Sequence, residues 1–396
     1  ITDINIILFH HRNISNVDKV YNTIRTALNG MSRTFRLADR PIIYEVSNET
    51  DHQNKFVGSI QEEANVPQNP FVIDFHRPQG GGKSDDAYKV VKQEGAKYGY
   101  MSQFVNWVTC DHSRNGARNS DAILKAIARN ILIKCGQMIW WAKIPDSIPL
   151  PCVTVGVDLY HAPRRYNPET RTMESRTSVA AIVVQVINSN TDEGINCVFS
   201  RTFCRGDTRH ESGLGNSLGQ TIEQAMEKLQ VRDPKSCVVW RDGVGETQIE
   251  EVAEGEIAGV REALKNHGDV KLAFMFAQKR INTKLFMESG MHAMPAGTLV
   301  KGLQDPTYPT FYLQGTSPPM STAKPVRFII ADSDFGETDD LISMTWSMCN
   351  NYLNWSGPVK VPGPCRLAHK LAEHVGIFDN PENINHNSFV NKLYYT

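Results

Sequence analysis

Two carboxylates in the second half of the chain stand where apolar side chains would be expected. Asp158 lies within the strand-like run "VTVGVDLYHAP", and Asp242 closes "SCVVWRDGVGETQIEEV" just before a glycine turn. A charge in such a run is costly unless it is paired or bound to a metal. An Asp-Gly pair at a strand end either caps a turn or does chemistry. Asp158 in turn either meets an arginine of "RRYNPETR" or faces Asp242 across paired strands. Two ionised carboxylates about 5 Å apart repel by roughly 3 kcal/mol at an effective dielectric near 20. A shared proton, an arginine or a divalent cation can offset that repulsion. Acidic oxygen ligands suit Mg²⁺ or Mn²⁺ better than zinc, and such a pair supports in-line phosphodiester hydrolysis.

Positioning these residues requires a rigid sheet, and the pattern along the chain supplies one. Residues 1–148 alternate strand and helix signals: "INIILF", "VDKVYNTIRTALNG", "FVIDF", "DDAYKVVKQEGAKYG" and "SDAILKAIARNILIKCG". This predicts a small α/β domain with a parallel sheet, and Ser120 or Asp121 as the cap of its last helix. The proline-punctuated "AKIPDSIPLP" reads as a linker. Beyond it the strands "CVTVGVDLY", "SVAAIVVQVI" and "CVFSRTFCR" predict an antiparallel meander. Helices from about Thr221 to Gln230 and Thr247 to Asn266 then alternate with the strand ending at Asp242 and with "KLAFMFAQK". The order βββαβαβ is that of an RNase H-like sheet. The acidic run "EEVAEGE" predicts a solvated helix face.

Composition bounds the function classes. With 396 residues the chain can hold two or three domains, and its net charge of −1 gives no global sign of nucleic acid. From Arg77 to Lys134, however, ten basic residues stand against five acidic ones, an asymmetry suited to phosphate. The eight cysteines never fall at C-x-x-C spacing, which favours reduced thiols in a cytoplasmic or nuclear protein. The longest apolar run is about half of a membrane span, and "ITDINIILF" lacks a basic leader, so neither membrane nor signal peptide is expected. The chain opens at Ile1 almost directly into a strand pattern, as part of a longer product would. "GGGKS" at 80–84 fails the Walker pattern because position 77 is Arg77. "DSDFGETDD" at 332–340 departs from a calcium loop and predicts a polar helix entry, with Thr338 or Asp339 as cap.

"VTVGVDLYHAP", "VVWRDGVGETQIEEV", "FAQKRINTKLF", "PAGTLV", "YLNWSGPVKVPGPCRLAHKLAEHVG" and the terminal "NKLYYT" together resemble the catalytic half of Argonaute proteins, most closely the PIWI clade. The agreement in order and spacing covers most of residues 70–396. The resemblance implies an α/β chain with a small Rossmann-like MID domain, 1–148, followed by an RNase H-like PIWI domain, 149–396. It implies a metal-dependent endonuclease, guided by a small RNA with a 5′ phosphate, that cuts a complementary RNA or DNA target with Mg²⁺ or Mn²⁺. Rival readings are a silencing scaffold that binds the guide without cutting, and a guide-independent nuclease. Silencing partner proteins cannot be named from the sequence.

Residue by residue, the family's catalytic set falls on Asp158, Asp242 and His369 in "LAHKLA", all three as metal ligands. Its mobile glutamate falls on Glu211 in "RHESGLGNSLGQ", with one residue missing before Asp242. The guide 5′-phosphate set falls on Tyr88 and Lys92, one helical turn apart, with Gln103 and Lys134. Asn130 stands where some relatives have lysine, and with the carboxylate of Thr396, if that is the terminus, would help hold a cation on the phosphate. Lys279 and Arg280 fall in a segment near the nucleic-acid channel. His374 stands where many Argonautes have arginine, and no segment resembles the amino-terminal or PAZ domains.

Overall fold

The computed structural model describes residues 2–61, 70–76, 86–107, 117–161, 165–167, 169–174, 177–190, 197–205, 214–287, 294–302, 307–317 and 324–396. By its internal contacts the chain divides into two units, Ile1–Ile139 with Ile377–Thr396, and Trp140–Gly376.

The first unit runs β1 (Thr2–His11), α1 (Val17–Met31), β2 (Phe35–Leu37), β3 (Ile42–Val46), α2 (Glu49–Gln61), β4 (Pro70–His76), α3 (Asp86–Tyr98), β5 (Met101–Asn106) and α4 (Ala117–Lys134). The strands pair in parallel in the order β2-β1-β4-β5, with β3 also on β1. Helical crossovers α1, α2 and α3, from β1 to β2, β3 to β4 and β4 to β5, make that parallel pairing possible. α1 buries Val17, Val20, Tyr21, Ile24 and Leu28, a stripe at helical spacing. α4 begins at Ala117, so Ser120 and Asp121 lie in its first turns and do not cap it. Nothing in Ala117-Arg118-Asn119 opposes helix, and the start moves upstream accordingly.

The last residues of the chain fold onto this unit. Asn385 N donates to Ala96 O (3.0 Å) on α3, and Leu393 N donates to Lys134 O (3.0 Å) at the end of α4. Gly136 has φ +96°, and a β-carbon there would stand 2.0 Å from Asn391 O, so this turn requires glycine.

The second unit runs β6 (Cys152–Tyr160), the hairpin β7 (Arg165–Asn167) and β8 (Thr172–Glu174), β9 (Ser178–Ile187), β10 (Val198–Arg205), α5 (Gly215–Lys228), β11 (Ser236–Asp242), α6 (Ile249–Leu264), β12 (Lys271–Gln278), β13 (Leu299–Lys301), β14 (Thr310–Leu313), β15 (Val326–Ser333), α7 (Thr338–Cys349) and α8 (Gly363–Gly376). Its mixed sheet has the order β10-β9-β6-β11-β12-β15-β14-β13. β9 is buried at every position, as expected of a strand covered on both faces. Trp240, Val238, Met275 and Cys365 share a core with Leu341, Met344 and Met348, which puts α7 and α8 on one face. On the other, α5 and α6 approach so closely that a β-carbon on Gly219 would stand 2.4 Å from Gly259 O. α7 is preceded by Glu337 in extended conformation, one residue before the Thr338 or Asp339 cap expected. Asp332 and Asp334 instead hold Arg261, at 2.6 and 3.0 Å.

Candidate active site

β6 and β11 pair in parallel with Trp240 opposite Gly156 and Arg241 opposite Val157. One residue further along each strand come Asp242 and Asp158, which therefore project side by side from the same face. Both are buried. Burial first, then the charge of Asp158, push the Asp242 carboxyl up to about 6, against the pull of Lys279. Asp158 is better served: Leu159 N donates to its Oδ1 (2.9 Å), and His369 Nδ1 lies 2.7 Å from its Oδ2.

Helix α8 brings His369 to that point, and two glycines fix its position. A β-carbon on Gly156 would stand 2.1 Å from the Pro364 carbonyl carbon, and one on Gly376 would stand 2.3 Å from the Tyr160 ring. The helix thus lies on β6, running in the same direction, backbone on backbone at Gly156 and over the Tyr160 ring at Gly376. Asp158 is midway between Gly156 and Tyr160, and His369 is near the middle of α8.

Lys279 directly follows β12, whose Ala277 pairs with Asp242, and its ammonium makes an ion pair with Asp242 Oδ2. Burial favours the neutral amine, yet Asp242 and Asp158 together raise the Lys279 pKa. Arg280 is exposed. Lys360 is pushed down by burial and then by the charges of Lys279 and Lys324, with Asp242 opposing.

Sequence reasoning missed the support behind Asp242. Arg241 points to the opposite face, where its Nε lies 3.2 Å from Glu256 Oε1 on α6 and its guanidinium also donates to the Asp242 carbonyl. Glu256 is 1% exposed, so this part of "EEVAEGE" is core and not the solvated face expected. The available signal was Arg241 itself, since a cation between Trp240 and Asp242 in a central strand demands an acidic partner.

Among the described residues, no three His, Cys, Asp or Glu side chains are arranged to hold a metal ion. Glu211 lies outside the described residues. The donors that are present nevertheless suit a hard divalent cation. Two carboxylates stand on adjacent strands, and Asp242 Oδ1 is buried with no hydrogen-bond partner.

In the first unit, Lys92 and Lys134 converge: each Nζ donates to Ser102 O at 2.9 Å. Both amines are buried. Burial and the neighbouring Lys134 hold Lys92 well below its ordinary value, and burial brings Lys134 down to about 8. Tyr88 packs edge-on against Phe104 at 4.8 Å, and Lys92 Nζ is 5.7 Å from the Tyr88 ring. Gln103 donates through Nε2 to Phe104 O (2.8 Å), leaving Oε1 buried without a partner. These four residues thus border one another through Lys92, Ser102 and Phe104. Asn130 is partly exposed on α4, and Thr396 Oγ1 donates to Leu393 O (2.9 Å). Lys89 is held by Asp379. Residues 77–85, with Lys83, lie outside the described residues.

A Rossmann-like unit and an RNase H-like mixed sheet together make the α/β fold of Argonaute MID and PIWI lobes. Residues 80–380 match the Piwi domain, and the chain belongs to that family. Protein argonaute-3 of Drosophila melanogaster is 26% identical over 308 residues, covering 74% of this chain and 32% of that protein. Piwi-like protein 1 of Gallus gallus is 28% identical over 262 residues, covering 64% and 28%. The crystal structure of Drosophila Piwi superposes with a TM-score of 0.77 at 21% identity, over 100% of this chain and 50% of that one. The structure of Kluyveromyces polysporus Argonaute with a guide RNA gives 0.76 at 17%, over 100% and 48%. The chain spans about a third of the length of the two curated relatives. No helix among the described residues is long and apolar enough to cross a membrane.

Proposed function

We propose that this chain binds a small guide RNA by its 5′ phosphate and cleaves a complementary RNA or DNA target in RNA silencing, in the cytoplasm or nucleus. The observation that carries the reading is the placement of Asp158 and Asp242 side by side on paired strands, with His369 on Asp158. The Kluyveromyces relative is solved with a guide RNA, and an Argonaute of Clostridium butyricum with a guide DNA and a target DNA.

In the first unit Lys92 and Lys134 supply positive charge for the phosphate, and Tyr88 offers a ring on which a terminal base can stack. Gln103 Oε1 can accept a hydrogen bond, and Asn130 and Thr396 would support a cation on the phosphate. In the second unit Asp158, Asp242 and His369 would hold Mg²⁺ or Mn²⁺, with Glu211 as a further acid. A bound divalent cation supplies stabilisation of the developing negative charge on the phosphodiester and activation of water. Asp158 keeps His369 oriented, and the imidazole can hold or pass on a proton at its Nε2. Arg280 and Lys279 stand near enough to the strand ends to meet nucleic-acid phosphates.

The test is guided cleavage in Mg²⁺, with a 5′-phosphorylated guide and a matched target. Asp158→Ala and Asp242→Ala should each lower the cleavage rate by at least about 1,000-fold, with guide affinity changed less than about threefold. Persistent cutting in either variant would sink the assignment. Guide binding without cutting in the unaltered chain would leave a silencing scaffold, and cutting indifferent to the guide would leave a general nuclease.

A further inference from the structure

We propose that Lys279 is a resident counter-ion of the two carboxylates, and that a divalent cation and a nucleic-acid phosphate bind this unit cooperatively because metal entry frees Lys279 for phosphate. The inference rests on the metal-nuclease reading above and adds a means of regulating the same site.

The geometry starts from exposure. The Asp242 side chain is 1% exposed and that of Lys279 is 30% exposed, so the ammonium covers a buried carboxylate from the solvent side. Strand register places it there: Ala277 is opposite Asp242, and Lys279 projects from the same face two residues on. Gln278 anchors the strand end between them, donating to Val244 O and accepting from Arg327 Nη1, both at 3.3 Å. The backbone before Lys279 is therefore fixed, and only the flexible side chain can withdraw.

A divalent cation bound to Asp242 Oδ1 would repel the ammonium on Oδ2, since like charges a few ångströms apart interact strongly in a poorly screened site. The displaced lysine then needs a new anion. Beyond the two aspartates, the described groups nearby are cations: Lys360 lies within electrostatic reach of both Lys279 and Lys324, and Lys324 Nζ donates to Ile281 O at 3.2 Å. A phosphodiester oxygen fits a flank of three lysines. Each ligand therefore favours the other, and the coupling must be equal in both directions.

The experiment measures Mn²⁺ binding by the whole chain, alone and with a saturating, non-cleavable 2′-O-methyl RNA duplex carrying a 5′ phosphate. In the unaltered chain the duplex should tighten Mn²⁺ binding at least about tenfold. Lys279→Met should bind Mn²⁺ at least about tenfold more tightly without the duplex, and gain less than about threefold from it. Lys279→Gln serves as a second variant, with circular dichroism checking that each is folded. If both variants bind Mn²⁺ no more tightly than the unaltered chain, or keep its full response to the duplex, the inference is overturned. Asp242→Asn separates the two failures. Loss of Mn²⁺ binding there, with Lys279→Met silent, overturns this inference alone. Mn²⁺ binding that ignores Asp242→Asn removes the metal reading and this inference with it.

Discussion

The two units each bury a pair of like charges, and they deal with the repulsion differently. In the first, Lys92 and Lys134 share one carbonyl acceptor, Ser102 O, and burial holds both below their ordinary values. In the second, Asp158 has His369 and Asp242 has Lys279. The lysine pair donates to one neutral acceptor, with the buried Asp74 carboxylate acting on Lys92 from nearby, and is left with charge to offer an incoming anion. The aspartate pair already carries its own partners, the Lys279 ammonium on Asp242 and the His369 ring on Asp158. A site of the first kind recruits its ligand directly, whereas one of the second kind exchanges a resident ion for it.

The contrast can be broken most severely from behind the aspartates. Glu256→Ala leaves Arg241 buried without its carboxylate, which should cost about 3–5 kcal/mol of stability in denaturant unfolding. Glu256→Gln keeps a hydrogen-bond acceptor and should cost less. A loss below about 1 kcal/mol for the alanine variant would show that Arg241 has found another partner.

On the lysine side, Lys92→Met removes one of the two buried cations. The preference for a 5′ phosphate over a 5′ hydroxyl RNA should fall by about 2–3 kcal/mol, roughly 30–150-fold, in parallel binding titrations. An unchanged preference would place the phosphate elsewhere.

A subtler test uses pH. Lys134 has a folded pKa of about 8, below its ordinary 10.5, so the folded chain holds fewer protons than the unfolded chain between those values. Stability without ligand should therefore rise with pH across that window. Phosphate binding needs the charged amine, so affinity for a 5′-phosphorylated RNA should fall by up to about tenfold per pH unit above pH 8. Slopes of the same sign would contradict the burial of a phosphate-binding lysine.

Much of this arrangement was legible in the sequence, and the losses have particular causes. Asp158 and Asp242 were readable because a carboxylate in a run such as "VTVGVDLY" has no cheap explanation. The order of the main strands and helices followed from hydrophobic period, whereas β2, β3, α2, β5 and β13 to β15 were not read. Glu256 was misassigned because one buried acid in a helix with several exposed ones leaves the periodicity almost unchanged. The partner that rescues it, Arg241, is on another element, and pairing across elements is invisible to a local pattern. The start of α4 was misplaced because Ser and Asp, good capping residues, are also tolerated within a helix. Lys279 was placed near the nucleic-acid channel by the family resemblance, whereas its contact with Asp242 depends on the register of β11 against β12.

The seating of α8 on β6 has a consequence for the history of the chain. Gly156 under Pro364 and Tyr160 under Gly376 act as two pegs, and they set one scale against another. Between them the strand covers about 13 Å at its rise per residue. The helix covers about 18 Å at its own. His369 meets Asp158 only while both counts hold. Exchanges of side chain elsewhere in this block can be accommodated so long as Gly156 and Gly376 stay small and Asp158 and His369 are kept, but an insertion or deletion of one residue in either segment shifts every later rung. Lineages of this chain should therefore vary in composition here far more than in length.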